Sequence, residues 1–416
     1  MKMHHTICRT RIFALLLHYS GERSAWCLID GNDKEDGFLG HREPQRCPGY
    51  GEVLQFGQYR KNAFSRARQL RDTALNIWRC QCMSVCARAH QAPHTTTLKP
   101  YFANSTSKKM GISQYIKEIG RGPRGSKPLT REQAADLFGQ VLDGTVTDLE
   151  IGAFCMAMRI KGETPEEMCG FLDATHQRLA LLPATDRPVI VLPSYNGARK
   201  LPVLTPLLAL LLARKGLPVL LHGMRTEARR ILASDVLLAL DVPALSAPET
   251  IANGKVRYIH TGHLHAGLAR LLRVREVVGL RNPGHSVVKL MNPCAGPAVV
   301  VTAYTHPEYA EMLRTTFCTL GMTALLSRGL EGEVATDPRR TPRYDGFVRG
   351  THQLLEEQQP GTASEVAGLP AEIDVATTAT YTQRVLAGEL PVPPAIERQV
   401  EHILRLADQA DSETPP

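Results

Sequence analysis

The chain of 416 residues carries 49 Lys and Arg against 41 Asp and Glu, is 43% hydrophobic and 22% charged, and holds no apolar run long enough to cross a bilayer. Wholesale disorder and a spanning helix are thereby excluded, and two or three folded domains are expected. The longest early apolar run, residues 12–17, is too short for a signal-peptide core, so a cytoplasmic location is expected. The net charge of +8 is uneven: residues 1–109 hold 17 basic and 8 acidic side chains, residues 199–289 hold 14 and 5, and residues 351–416 hold 3 and 11. One part of the body attracts polyanions and another repels them.

Residues 1–109 contain six of the ten cysteines and both tryptophans, without a sustained apolar period. They are expected to be a poorly structured or misassigned basic extension. Cys82, Cys86, His90 and His94 fall at intervals of four, but zinc ligands usually come from two separated arms, so no metal is expected.

A clean pattern opens at Met110. Ile112, Tyr115, Ile116 and Ile119 predict a first helix, followed by a turn over 120–125. Thr130 with Gln133 caps a second helix that stops at Gly144, Thr147 starts a third, and Thr164-Pro165-Glu166-Glu167 starts a fourth running to about Leu181. Residues 110–183 thus read as a small helical domain. From 184 to 416 the pattern becomes α/β. Val189–Leu192 and Val219–Leu221 are apolar runs of the kind buried on both faces of a sheet, and each is followed by a polar loop and a helix. Further strands are expected at 299–302 and 324–326, giving a doubly wound α/β domain with its working loops at the carboxyl ends of the strands and an acidic C-terminal segment.

Several blocks, in order, carry a resemblance: Met156 to Thr164, His222-Gly223-Met224-Arg225, His265, and Val274-Arg275-Glu276-Val277-Val278-Gly279-Leu280-Arg281. Over residues 110–405 the chain resembles the anthranilate phosphoribosyltransferases and class II nucleoside phosphorylases of glycosyltransferase family 3. The resemblance implies their fold, a helical N-terminal domain with a larger α/β domain. It also implies a substrate site at Ser194, Asn196, Gly197, His222, Gly223, His265 and Arg275.

The chemistry-bearing loops depart from that family. Where the enzymes use a Gly-Thr-Gly-Gly-Asp nest for pyrophosphate, residues 193–200 read Pro-Ser-Tyr-Asn-Gly-Ala-Arg-Lys. The Lys-His-Gly-Asn-Arg motif becomes Leu221 to Arg225, and the magnesium-binding Asp-Glu pair becomes Glu331-Gly332-Glu333. These departures are similar to those of the YbiB-type DNA-binding branch, which the resemblance describes as a homodimer that binds nucleic acid with little sequence preference. No cofactor is expected, with magnesium needed only if a transferase survives, and no catalytic residue is assigned.

Independently, the basic stretch offers Arg199, Lys200, Arg225, Arg229, Arg230, Arg270, Arg273 and Lys289 as phosphate contacts, with a second cluster at Lys117, Arg121, Arg124 and Lys127. Each could instead be part of a solvated helix face. His222 and His265 are open to an acid–base role or, more commonly beside a glycine turn, a structural one. Two functions follow: a non-specific nucleic-acid binder on a degenerate scaffold, dimerising through the helical domain and not bound to membranes, or a phosphoribosyl or other glycosyl transferase with an altered acceptor, in which Arg275 pairs an anionic substrate.

Overall fold

A computed structural model describes residues 111–412 other than Pro123. The expected extension, with its 82–94 cysteine–histidine series, lies outside the described residues. Four helices come first: α1 (Ser113–Ile119), α2 (Arg131–Asp143), α3 (Asp148–Lys161) and α4 (Pro165–His176). Thr130, Thr147 and Thr164 each accept a hydrogen bond from the N–H three residues on, and the N3 Gln133, Glu150 or Glu167 side chain returns it. These reciprocal pairs satisfy helix-end donors locally, which is why the starts are legible in the sequence. Phe138, Phe154 and Phe171 fill the bundle, with the rings of Phe138 and Phe171 stacked at 4.8 Å. The fourth helix ends at His176 rather than near Leu181, where Arg178 turns back to grip Asp143 at 2.8 and 2.9 Å.

The remainder is a mixed sheet flanked by helices: β1 (Val189–Ser194), α5 (Thr205–Arg214), β2 (Val219–Gly223), α6 (Ala233–Ala239), β3 (Ala244–Leu245), β4 (Val256–His260), α7 (Thr261–Leu264), α8 (Ala266–Val278), α9 (Gly284–Val287), β5 (Ala298–Tyr304), α10 (Glu308–Leu320), β6 (Ala324–Arg328), β7 (Tyr344–Val348), β8 (Thr351–Glu356), α11 (Val375–Ala387) and α12 (Pro394–Ser412). The strand order is β3-β4-β2-β1-β5-β6-β7-β8. The first six are parallel, so their carboxyl ends share one edge, while β7 and β8 add an antiparallel hairpin that the apolar runs do not announce.

Alternation divides the core. Val189 and Val191 of β1 face the side covered by the helical bundle and α8, whereas Ile190 and Leu192 face α5, α6, α11 and α12. The bundle's core is continuous with the first of these faces. The acidic C-terminal segment folds onto the second face: Val400, Ile403, Leu406 and Ala407 of α12 are buried, while Asp408 reaches Arg187 at 2.8 Å. No helix among the described residues is long and apolar enough to cross a membrane.

Candidate nucleic-acid interface

The 193–200 loop leaves the end of β1 and is fixed by two carboxylates from beyond β6. Buried Glu333 accepts hydrogen bonds from the N–H groups of Asn196 (2.9 Å) and Gly197 (2.8 Å) through one oxygen, and from the hydroxyls of Ser194 (2.7 Å) and Thr205 (3.0 Å) through the other. Glu331 accepts from the N–H groups of Arg199 and Lys200 at 2.9 and 2.8 Å, and its main-chain oxygen accepts from the Asn196 amide at 2.8 Å. The backbone donors of the loop therefore meet the protein's own anions. Gly197 is required here: its φ is +64°, and a Cβ would lie 2.7 Å from the Ile231 carbonyl oxygen. A pyrophosphate or its magnesium does not fit this arrangement, because the N–H groups are taken and both Glu333 oxygens are already engaged.

His222 is fully buried at the end of β2, its Nδ1 2.8 Å from the Tyr195 hydroxyl, which in turn lies 2.8 Å from Thr261 Oγ1. Burial pushes its pKa down to about 3, so the ring is neutral and braces the loop. His222 and Gly223 thus belong to the strand rather than to the polar loop expected after it. Gly223 lets β2 close on β1, since a Cβ there would collide with the Ser194 carbonyl oxygen. His265 accepts from the Leu268 N–H at 3.1 Å and caps α8.

The expected cationic stripe is not one uniform exposed row. Arg225 is held by Asp235 at 2.6 Å. Arg230 bonds Glu227 at 3.0 Å and Glu331 at 3.4 Å, and Arg275 bonds Glu227 at 3.0 Å. Burial alone raises the Glu227 carboxyl, but Arg275 and Arg230 outweigh it and hold the carboxyl below its ordinary value. Arg270 donates to the Val141 carbonyl oxygen at 2.9 Å and covers the end of α2. Lys289 requires a correction: it is not on an exposed face but half-buried behind the loop, 3.3 Å from the Gly332 carbonyl oxygen. Burial, and next the neighbouring Arg281, push its pKa down to about 8.

Arg199, Lys200, Arg229 and Arg273 are exposed. Arg199 has only a 4.0 Å approach to Glu331, and the other three have no ion-pair partner among the described residues. Because the parallel strands share a carboxyl edge, Arg199 and Lys200 after β1 and Arg229 after β2 lie along it, and exposed Arg328 at the end of β6 extends it. Reading charge along a single stretch misses Arg328. Its place at a strand end, beside Gly329, is the available signal. In the second cluster Arg121 pairs with Glu118 at 2.5 Å, while Lys117, Arg124 and Lys127 are exposed and without an ion-pair partner among the described residues. No group of three His, Cys, Asp or Glu among the described residues is arranged to hold a metal ion.

The glycosyl transferase family helical bundle domain matches residues 113–178. The uncharacterized protein YbiB of Escherichia coli (strain K12) is 37% identical over 298 residues, covering 70% of this chain and 92% of that one. The chain belongs to the YbiB-type branch of the anthranilate phosphoribosyltransferase family. The anthranilate phosphoribosyltransferase of Methylobacterium nodulans (strain LMG 21967 / CNCM I-2342 / ORS 2060) is 29% identical over 320 residues, covering 72% of this chain and 94% of that one. In fold, the chain is similar to the anthranilate phosphoribosyltransferase from Thermus thermophilus, with a TM-score of 0.55 at 20% identity over 73% of this chain and 90% of that one. The YbiB-type chain thus keeps the transferase scaffold while its phosphate-type loop is closed from within.

Proposed function

We propose that this chain binds nucleic acid through the phosphate backbone along the carboxyl edge of its sheet, and that it does not transfer phosphoribosyl groups. The observation that carries this reading is the closure of the 193–200 loop by Glu331 and Glu333, which leaves Arg199 and Lys200 pointing outward from a fixed backbone. Exposed cations without a close carboxylate partner suit a polyanion and carry no base readout, so binding is expected to be sequence-tolerant.

The test uses residues 110–416 beside the full chain, since residues 1–109 carry a charge of +9 that can bind by itself. Arg199→Ala with Lys200→Ala should weaken duplex binding on every sequence alike and make the log–log salt slope shallower by about 0.9 for each phosphate that is no longer neutralised. Pyrophosphate release from phosphoribosyl pyrophosphate with anthranilate and magnesium should be absent. Turnover would restore the transferase reading, and salt-independent binding would sink the backbone model.

The same proposal includes a homodimer through the helical bundle. Leu149, Met156 and Ile160 share one face of α3 by their spacing of seven and four, and Leu149 is 84% exposed and Ile160 63%. Leu149→Glu with Ile160→Glu should convert the dimer to a monomer in light scattering. A wild-type chain that is monomeric at micromolar concentration would overturn this part.

A further inference from the structure

A cavity of about 410 Å³ opens between the end of α3, the segment around α9, and the carboxyl end of β5. Its charged and imidazole lining consists of Arg159, Arg281, His285, Lys289 and His306 against a single carboxylate, Glu163, whose pKa burial pushes up toward the neutral form. Neither Arg281 nor Lys289 has an ion-pair partner among the described residues. Burial, then Arg275 and Arg230, opposes the charge on Arg281. Cations drawn out of water are costly without a counter-charge in contact, and here Glu333 acts on Lys289 and Glu227 on Arg281 only from beyond ion-pair distance.

His285 adds a neutral imidazole to the lining. Its Nδ1 lies 3.3 Å from the main-chain N–H of Asn282 and 3.2 Å from the Asn282 Oδ1, so either tautomer of the neutral ring finds a partner at that nitrogen. The ring's Nε2 is buried and has no hydrogen-bond partner, in a residue only 6% exposed. An ammonium and a guanidinium with no ion-pair partner among the described residues, beside a neutral imidazole, thus line one cavity.

We propose that this cavity binds the dianionic phosphate of a phosphate monoester. A monocarboxylate would compensate only one of the two enclosed charges. A backbone phosphodiester is also a monoanion and needs two exits for its ester arms, whereas a terminal phosphate needs one. The volume admits a mononucleotide. The ester can be a free nucleotide or the end of a nucleic acid. The site is separate from the exposed edge cations, so binding here does not require that the edge hold nucleic acid.

The experiment is thermal unfolding of the full chain at fixed ionic strength with inorganic phosphate, a 5′-mononucleotide, the matching nucleoside, and benzoate. Phosphate and the mononucleotide should raise Tm by about 2–4 °C at saturation, and the nucleoside and benzoate should not. Lys289→Met, which removes an uncompensated charge, should fold with Tm no lower than wild type and lose the phosphate response, as should Arg281→Met. Equal shifts with benzoate, or a phosphate response intact in both variants, would overturn the proposal. The source is read from paired oligonucleotides: tenfold tighter binding with a 5′-phosphate than with a 5′-hydroxyl assigns a nucleic-acid end, and equal binding beside a phosphate-dependent Tm shift assigns a free ester. If neither oligonucleotide binds while the mononucleotide does, the edge reading fails and the cavity stands.

Discussion

Two neighbouring clusters at the carboxyl edge of the sheet treat charge in opposite ways. Around Glu333, one buried carboxylate meets two main-chain N–H groups and two hydroxyls, so the donors stripped of water there have an acceptor. Immediately behind, across Gly332, Lys289 and Arg281 line a cavity with no carboxylate in ion-pair contact among the described residues. Acid is in hydrogen-bond contact with the donors where the family resemblance would put a phosphate ligand, and out of contact with the cations one layer deeper. A saturated cluster is structural, while an unsaturated one remains receptive.

The largest effect that could break this contrast is on stability. Glu333→Ala should cost about 3–5 kcal/mol in urea unfolding, because it strands several buried donors at once. A loss below about 1 kcal/mol would mean that water or side chains refill the place readily. The cavity should respond with the opposite sign: Lys289→Met should gain about 1 kcal/mol at pH 7. With its pKa pushed down from 10.5 to about 8, native Lys289 sheds its proton before the unfolded chain does. Wild-type stability should therefore rise with pH between those values and the advantage of the Met variant should shrink, with Arg281, Arg230 and Glu333 as the charges facing the amine. Stability profiles from pH 7 to 10 check this.

Along the edge, the contrast is between free and neutralised cations. Arg229→Ala should remove a phosphate contact and reduce the salt slope by about 0.9, whereas Arg225→Ala, already held by Asp235, should leave the slope unchanged. Equal changes would show that the carboxylate yields to the ligand. The smallest effect belongs to the acidic segment: Asp408→Ala breaks an exposed pair with Arg187, and should change stability by less than about 0.5 kcal/mol and not weaken nucleic-acid binding.

What can be read from the sequence follows the range of the interactions. The caps at Thr130, Thr147 and Thr164 close within three residues, and the runs at β1 and β2 declare burial on both faces by themselves. The β7–β8 hairpin is hidden because Thr351–Glu356 is a largely polar edge strand with no apolar alternation. At the site, the separation that matters is longer still: Glu333 reaches Asn196 across 137 positions, and nothing local distinguishes it from a solvated acid. Lys289 reads as one more surface cation because its neighbours in sequence carry no sign of the cavity that encloses it. Arg281 and His285 stand in or beside a family motif, yet the missing ion pair of the first and the unbonded Nε2 of the second are visible only in three dimensions.

The tie from Glu331 and Glu333 back to residues 196–200 spans β5 and joins the end of β6 to the end of β1. Arg199 and Lys200 therefore project from a backbone that is already immobilised, and only their side chains remain to be ordered when an anion arrives. Part of the conformational entropy that a flexible basic loop would lose on association has been lost at folding. Hydrogen exchange offers a direct view of this: the amides of Arg199 and Lys200 should exchange slowly although their side chains are bathed in solvent, with rates that barely change when nucleic acid binds.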